Sequence, residues 1–453
     1  MKEKLMFVCS LCLIAFIGGA GIMHFKVFPY RPIEEGLIAL DAWRDVLSAD
    51  QINFLFVDET GVPEPTVSWS DGYADDGGLI LMAGGPGALA SSCPEFGCMA
   101  RISNRSGEVL HTWEADYAAL WADSAHEGLR DHNKIAPSGM HLFDNGDLLV
   151  SFGSRSLFPY GVGMAKFDKD GKLLWKKANF AHHWFSVAPD GNIYTPAHQL
   201  AASPLPLGQT KKQLRCNKGE IYSDVILKVS PEGETLKTIP IIDLLVANGL
   251  VGLLTDSRQP CDALHLNYVD YVTRELAEQT PGLDEGDLIV SLRHINTLLA
   301  IDAETGLVKW RMTGRTIAQH SPRLQPDGSI LVFDNHGGRS AVGGSRIVRL
   351  RYGSDRVEDV YPRPDTASGV DFFSSYAGVI DLHPDGNRGL VSVTEQGRIL
   401  ELDLKTGLVL WEYTNNHDLG SYPGQIGNKA GVSSRLWTNG AWYIKKRPAF
   451  LDL

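Results

Sequence analysis

Two histidines hold the same position relative to a tight turn in two separate parts of the chain. His183 lies eight residues before Gly191, and His320 lies eight residues before Gly328. Histidine can act as a nucleophile, or as an acid and a base, near neutral pH. The shared spacing predicts that the two rings converge on one site if the two segments are equivalent strands.

Two further polar motifs lie between these histidines in the sequence. They are H-L-N at His265–Asn267 and S-L-R-H-I-N at Ser291–Asn296. Arginine offers a permanent planar fork to two anionic oxygens, and asparagine adds an uncharged donor. The combined set suits the binding and transfer of a tetrahedral oxyanion and consists of His183, His265, Asn267, Arg293 and His320.

A histidine within a strand is more often structural than catalytic, so the prediction depends on the agreement of spacing and motif. In an extended strand His182 points to the opposite side from His183. By the same alternation, His294 and Asn296 face away from Arg293 and are expected to be structural. Three other histidines do not share the spacing and are interpreted as ordinary polar residues: His141, His198 and His336.

A repeat of short hairpins predicts the elements that position these residues. Six times, an apolar strand, a turn and a second strand follow one another, in segments 99–113, 164–177, 226–239, 298–312, 347–361 and 399–413. Gly and Asp or Asn at the turns supply the positive φ that hairpins need. Tryptophan recurs at the hairpin ends, which indicates packing between repeats, at Trp113, Trp175, Trp310 and Trp411.

A second type of hairpin alternates with the first, in segments 75–82, 144–152, 189–195, 284–292, 326–333 and 384–393. Two hairpins make four strands, and six such units predict an all-β fold, a six-bladed β-propeller. In a propeller the innermost strand of each blade faces the central channel. Equivalent positions in different blades therefore converge there.

Composition agrees with one large exported domain. The chain has 453 residues, 43% of them hydrophobic, and its 47 glycines suit a fold with many turns. The net charge of -12 argues against nucleic acid as a partner, because phosphate binding needs a basic face. A small anionic substrate is still compatible, since one local cluster of Arg and His suffices. The sequence indicates no oligomeric state.

An uncharged apolar run from Leu5 to Met23 follows Lys2 and Lys4. Its length is sufficient for a transmembrane helix, and a cleaved signal peptide is the alternative. Either segment exports the rest to the periplasm or another extracytoplasmic compartment, and an uncleaved helix tethers it to the inner membrane. We therefore predict three parts: a membrane anchor or signal at 1–24, a linker with a short amphipathic helix (33–47) at 25–60, and a propeller catalytic domain at 61–453.

Four cysteines follow this apolar run, namely Cys93, Cys98, Cys216 and Cys261. An even number in an exported chain permits two disulfides, with three pairings open. Cys93 with Cys98 is the favoured local bridge, because Pro94 and Gly97 allow a tight loop. No C-x-x-C pair is present among these four cysteines, so a zinc site is not expected.

At the residues of the oxyanion set, the sequence resembles the bacterial arylsulfotransferase family, the aryl-sulfate sulfotransferases. The resemblance runs from about Gly78 to Tyr413 and is densest in HHWFSVAPDGN (182–192), DALHLNYVD (262–270), LIVSLRHINTLLAIDAETGLVKWRM (288–312), QHSPRLQPDGSILVFDN (319–335) and TEQGRILELD…GLVLWEY (394–413). A PDG turn alone occurs in many propellers. The ordered set H-H, H-x-N, S-x-R-H and Q-H before a PDG turn is much more specific.

The resemblance implies a ping-pong transfer from a phenolic sulfate ester to a phenol, through a transient sulfohistidine on His320. Arg293, His265 and Asn267 correspond to ligands of the sulfuryl oxygens. His183 corresponds to the histidine that helps to protonate the leaving phenolate and to deprotonate the acceptor. No nucleotide sulfate donor, other cofactor or metal is implied.

The sequence departs from this family at Trp184, where the family usually has Asp after the paired histidines. A supporting carboxylate is then absent, or Trp184 stacks on an aromatic substrate; with His182 it is assigned to substrate binding. An insertion between 271 and 284, helical near Tyr271–Gln279, separates the H-x-N motif from Arg293. The match is poor after about Asn415.

Three other functions are compatible with a propeller. A non-catalytic propeller that binds a ligand or a protein predicts that the His–Arg set does not converge. A quinone-dependent dehydrogenase shares the repeated Trp hairpins, but six blades and the lack of an acidic cluster for calcium disfavour it. A sulfate or phosphate ester hydrolase on the same fold is the third alternative, because of Trp184.

Overall fold

The computed structural model describes residues 2–25, 27–28, 56–90, 93, 95–123, 132–154, 160–216, 219–255, 257, 259–338, 344–363, 371–419 and 432–452. The chain divides into two compact units, residues 1–54 and residues 55–453. In the first unit, an α-helix spans Lys2–Phe25. Among the described residues, no helix meets the length and apolarity needed to cross a membrane, so the predicted transmembrane helix is not confirmed. The amphipathic helix predicted at 33–47 lies outside the described residues.

The second unit is a six-bladed β-propeller, as predicted, and each blade is an antiparallel sheet. From the channel outward, the strands of blade 1 are Ala441–Ile444, Leu79–Ala83, Ala100–Asn104 and Val109–Trp113. Those of blade 2 are Ile135–Leu142, Leu148–Ser154, Gly161–Phe167 and Leu173–Lys177. Those of blade 3 are Ser186–Val187, Ile193–Ala202, Glu220–Val229 and Thr235–Pro240.

The remaining blades follow the same order. The strands of blade 4 are Leu266–Tyr271, Asp287–Leu292, Thr297–Asp302 and Val308–Thr313. Those of blade 5 are His320–Leu324, Ser329–Asp334, Arg346–Arg351 and Val357–Tyr361. Those of blade 6 are Val379–Leu382, Arg388–Val393, Arg398–Asp403, Val409–Thr414 and, as a fifth outer strand, Thr66–Trp69.

Smaller elements connect or flank the blades. Two small sheets contain Phe56–Glu59, Ser433–Leu436 and Asn416–Asp418, and Leu205–Pro206 with Gln213–Leu214. The short α-helices are Gly87–Ala90, Tyr117–Leu120, Ile241–Ala247, Gly252–Thr255 and Arg274–Gln279, the last within the predicted helical insertion. The 3-10 turns are Glu95–Gly97, His132–Lys134, Arg293–Ile295, Thr394–Gln396 and Ala449–Asp452.

The ring is closed by the end of the chain. The innermost strand of blade 1, Ala441–Ile444, pairs antiparallel with Leu79–Ala83, with Leu79 opposite Ile444. The first blade is therefore assembled from both ends of the unit, a closure that the hairpin repeat does not predict.

The recurring tryptophans pack between blades, as predicted. The indole N–H of Trp113 in blade 1 donates to the carbonyl of Asp168 in blade 2, at 3.0 Å. Trp175 in blade 2 donates in the same way to Pro231 in blade 3, at 2.9 Å. Trp411 donates from blade 6 to a turn of blade 1. These bonds fix neighbouring blades relative to one another and so fix the inner strands that carry the site.

Both disulfides that the four cysteines after the apolar run permit are formed. Cys93 is bonded to Cys98, as favoured from the sequence, and Cys216 is bonded to Cys261. Because disulfides persist in oxidising compartments, they indicate an extracytoplasmic environment.

Candidate active site

His320 begins the innermost strand of blade 5 and is completely buried. Its Nδ1 lies 2.8 Å from Oδ1 of Asn335. The amide nitrogen of Asn335 donates to the carbonyls of Ser374 (2.7 Å) and Ala377 (2.9 Å), which fixes the orientation of the amide. Oδ1 must therefore accept, and Nδ1 of His320 must carry the proton.

The other ring nitrogen of His320 is consequently the one with a free lone pair. Its Nε2 has no hydrogen-bond partner among the described residues. Burial, and then the positive charge of Arg293, lower the pKa of His320 well below its ordinary value. The imidazole is thus neutral at pH 7, with Nε2 available as a nucleophile.

His183 lies beside this ring, and its neighbour His182 does not point away from it. Nδ1 of His182 is 2.7 Å from Nδ1 of His183. The prediction that the two histidines face opposite sides was wrong, because His183 has a left-handed φ of 53°, which breaks strand alternation. Burial, followed by the charge of His182, lowers the pKa of His183 well below its ordinary value.

His265 is held by a carboxylate and a phenol. Its Nδ1 lies 2.6 Å from Oδ2 of Asp262, and the hydroxyl of Tyr160 is 2.9 Å from both of these atoms. The His265 ring is 5.1 Å from that of His183, centroid to centroid. Its backbone also has a left-handed φ of 53°, and the buried carboxylate of Asp224 accepts its backbone N–H.

Asp262 is ionised in this arrangement. Burial acts to raise the pKa of Asp262, but the charge and the hydrogen bond of His265 outweigh it and hold that pKa below its ordinary value. Burial, and then the charge of Asp262, raise the pKa of Tyr160 well above its ordinary value. Tyr160 is therefore a neutral hydrogen-bond donor.

His294 belongs to the same cluster, although strand alternation predicted a purely structural residue. Its ring is 4.5 Å from that of His265, and its Nδ1 bonds the backbone carbonyl of Asp262 at 2.6 Å. Donor atoms of Asp262, His265 and His294 lie within 4.8 Å of one another, a spacing that could hold a metal ion. Nδ1 of His265 is hydrogen-bonded to the carboxylate of Asp262, and Nδ1 of His294 to its backbone carbonyl, so both Nδ1 atoms already have a partner.

Arg293 and Asn267 lie close to His320. Arg293 begins the 3-10 turn Arg293–Ile295, and its Nε has no partner among the described residues. Burial lowers the pKa of both His320 and His183; the charge of Arg293 is the second cause for His320 and the smallest of the five causes for His183. Asn267 is completely buried and donates to the carbonyl of Gln319, the residue before His320, at 2.9 Å.

Trp184 separates the histidines from the central channel. Its ring meets that of His320 edge-on at 5.8 Å and stacks on Tyr268 at 6.5 Å. Below it, a channel cavity of about 750 Å³ is lined in part by Trp184, Tyr268 and Arg323. Because the 5% exposed Trp184 contacts His320 and also lines this cavity, we call it the floor of the site.

The structure thus brings together all the residues selected from the sequence, and adds others that sequence analysis missed. Asp262 was detectable as the acid three positions before His265, within the matching segment 262–270. Asn335 ends the matching segment 319–335. Tyr160 follows a segment with no repeat or motif, and no signal in the sequence points to it. His198, interpreted as an ordinary polar residue, lies 4.8 Å from His182 between ring centroids.

The chain was also compared with known proteins. The sequence model of the family described as Arylsulfotransferase (ASST) matches residues 139–416, more than half of the chain. No curated protein matches the chain.

Among solved structures, a Bacteroides caccae protein of unknown function is similar over 82% of this chain and 100% of its own, with 14% identity and a TM-score of 0.45. Virginiamycin B lyase from Staphylococcus aureus is similar over 61% of this chain and 69% of its own, with 11% identity and a TM-score of 0.35. Hydrazine synthase from Kuenenia stuttgartiensis is similar over 68% and 73%, with 12% identity and a TM-score of 0.38.

Proposed function

Because the chain belongs to the arylsulfotransferase family, we propose that it moves a sulfuryl group from a phenolic sulfate ester to a phenol through a sulfohistidine on His320. The observation that carries the proposal is the bond between Nδ1 of His320 and Asn335. This bond leaves the lone pair on Nε2, in a buried site beside a permanent cation.

Each half of the reaction is a displacement at sulfur. In the first, Nε2 of His320 attacks the ester sulfur, the bond from sulfur to the aryl oxygen breaks, and its electron pair leaves with the phenolate, which takes up a proton. In the second, the acceptor phenol loses a proton and its oxygen attacks sulfur. The nitrogen–sulfur bond then breaks, and its electron pair returns to Nε2.

The neighbouring residues supply charge and proton transfer. Arg293 and Asn267 bind the sulfuryl oxygens, whose negative charge is stabilised best by donors fixed in a water-excluded site. His183 and His265 complete the ring around the sulfuryl group, and one of these two histidines exchanges the proton with the phenols. Trp184, supported by His182 behind His183, forms the aromatic surface for the phenol.

The test is a transfer assay on the purified protein with 4-nitrophenyl sulfate as donor and phenol as acceptor. We expect acceptor-dependent release of nitrophenolate, its loss in His320→Ala, and, without acceptor, addition of one SO₃ group to the peptide that contains His320. His336→Ala is the matched control, because this exposed histidine lies outside the cluster. Release that needs no acceptor would indicate a hydrolase, and activity that survives in His320→Ala would refute the covalent step.

We also propose that residues 1–24 anchor or export the chain, that 25–60 are a linker, and that 61–453 act in the periplasm. The two disulfides and the apolar run from Leu5 to Met23 support this location. Fractionation of cells that produce the full chain tests it. Recovery in the membrane fraction after an alkaline wash indicates an anchor, and recovery as a shortened soluble protein indicates a cleaved signal.

A further inference from the structure

Sequence and resemblance assign Asp262 and Tyr160 no role, yet both contact the side chain of His265. Asp262 accepts from Nδ1 of His265 at 2.6 Å, and Tyr160 donates to the same carboxylate oxygen at 2.9 Å. The exposed fraction of these side chains is 14% for Asp262 and 15% for His265. A contact between a carboxylate and imidazole Nδ1 fixes the ring and stabilises its protonated form.

The loop that carries this pair is itself held rigidly. The Cys216–Cys261 disulfide ends one residue before Asp262. Asp224 accepts the backbone N–H groups of His265 and Leu266 at 3.1 and 3.0 Å. The position of His265 relative to Asp262 is therefore set by the scaffold and not only by the hydrogen bond between them.

His183 lacks such a partner. Its Nδ1 is bonded to another histidine, His182, and not to an acid. Burial, followed by the charges of the neighbouring histidines and last by that of Arg293, also opposes protonation of His183 by lowering its pKa. Among the described residues, His265 is the one of these two histidines whose side chain is hydrogen-bonded to a carboxylate, which can stabilise an imidazolium.

We propose that Asp262 and Tyr160 are positioning residues that make His265, and not His183, the group that exchanges the proton with the phenols. The inference rests on the proposed sulfuryl transfer. In the donor half-reaction, Nε2–H of the His265 imidazolium gives its proton to the departing phenolate oxygen as the sulfur–oxygen bond breaks. In the acceptor half-reaction, neutral Nε2 takes the proton from the acceptor hydroxyl as its oxygen attacks sulfur. The proton thus moves from acceptor to donor, and His265 is regenerated.

This assignment predicts that the effect of losing Asp262 depends on the leaving group. 4-Nitrophenolate is a good leaving group and needs little protonation, whereas unsubstituted phenolate needs it. General acid catalysis typically contributes about 10²–10⁴-fold. In Asp262→Asn we expect kcat/KM for phenyl sulfate to fall by about 10²-fold or more, and that for 4-nitrophenyl sulfate by about tenfold or less.

The pH profile is a second readout, which a purely structural role would not change. Several titratable or charged groups face His265 or influence it: Asp262, Tyr160, His182, His183, Asp224, Arg293, His294 and His320. With phenyl sulfate, whose leaving group needs protonation, we expect the rate of the donor step in the wild type to fall at high pH. In Asp262→Asn this limb should move to lower pH.

The controls separate this inference from the proposed function. Asp284 is an exposed acid in the same blade, so Asp284→Asn should leave kcat/KM for both donors unchanged. Thermal unfolding of each variant checks the fold. Tyr160→Phe keeps the aromatic ring. Its kcat/KM should fall less than that of Asp262→Asn, and again more for phenyl sulfate than for 4-nitrophenyl sulfate. If the wild type transfers the sulfuryl group but kcat/KM for both donors falls by the same factor in Asp262→Asn, the inference is wrong and the proposed function stands.

Two outcomes remain. If Asp262→Asn does not fold, the test is made on Tyr160→Phe instead. An equal loss of kcat/KM for the two donors in that variant overturns the inference. If the wild type transfers no sulfuryl group with either donor, both the proposed function and the inference fall.

Discussion

A buried ion pair at the closure of the propeller allows a quantitative prediction. Glu401 of blade 6 is completely buried and forms an ion pair with Arg105 of blade 1, whose side chain is 2% exposed. The hydroxyls of Tyr73 (2.6 Å) and Tyr443 (2.7 Å) donate to the same carboxylate. Tyr443 lies on the C-terminal strand that closes the ring, so one carboxylate joins blade 6, blade 1 and the closing strand.

Glu401→Gln preserves the shape of the side chain but removes its charge, which leaves Arg105 buried without a counter-ion at short range. Breaking one partner of a buried ion pair costs about 3–5 kcal/mol. A free-energy change of this size lowers the unfolding midpoint of a domain of about 400 residues by about 4–6 °C. Differential scanning calorimetry on the purified variants measures this shift.

Glu412→Gln is the matched control, because Glu412 pairs with Arg398 at a site where the two side chains are 24% and 17% exposed. Such a pair contributes about 0–1 kcal/mol, so its loss should lower the midpoint by about 2 °C or less. Adding Arg105→Met to Glu401→Gln should recover part of the loss, since the unpaired charge is removed. Equal midpoints for Glu401→Gln and Glu412→Gln would refute the idea that this carboxylate locks the ring.

Three further predictions follow from other parts of the molecule. Trp184→Ala should open the floor of the site to channel water, so acceptor-independent release of nitrophenolate should rise relative to transfer; an unchanged ratio would contradict its role as a barrier. Burial, and then Lys445, lower the pKa of His141 to about 4, whereas an unfolded histidine takes up its proton near pH 6.5. The free energy of unfolding should therefore decrease as pH falls from about 6.5 to about 4. Urea titrations should show a smaller decrease in His141→Asn, and an identical decrease in the wild type and the variant would refute this role of His141. Replacing Cys216 and Cys261 by Ser opens a loop closed over a sequence separation of 45 and should destabilise the fold by about 2–4 kcal/mol in urea titrations, whereas a midpoint equal to that of the wild type would contradict this.

The blades could be predicted because each depends on local chemistry. A turn glycine such as Gly306 or Gly407 has a positive φ, and the tryptophan that follows packs on the next blade, so every unit repeats the same short pattern. The closing strand Ala441–Ile444 could not be predicted in this way. Its partner Leu79–Ala83 is more than 350 residues away along the chain, so no hairpin turn marks the pairing.

The site was predictable to the extent that it depends on the position of a strand in the ring. His183 and His320 share a spacing to the turn that ends the inner strand, and that spacing brings them together. The partners that set their chemistry come from other segments. Asn335 directly follows the second strand of its blade, and Asp262 lies in a loop. The tautomer of His320 and the polarisation of His265 therefore depend on tertiary contacts that the spacing does not encode.

Backbone strain explains why strand alternation failed at the site. His183, His265 and Ser321 have φ of 53°, 53° and 50°, although residues with a Cβ rarely adopt this conformation and pay about 1–3 kcal/mol for it. At each of these three residues, a hydrogen bond from or to a side chain holds the backbone in this conformation.

The hydroxyl of Ser151 donates to the carbonyl of His183, Asp224 accepts the N–H of His265, and Ser321 donates to the carbonyl of Ile380. These bonds come from neighbouring blades or from distant strands, so the local sequence gives no sign of the turn. The result is that two histidines leave the strand direction, and their rings lie 5.1 Å apart in the cluster on which the proposed transfer through His320 depends.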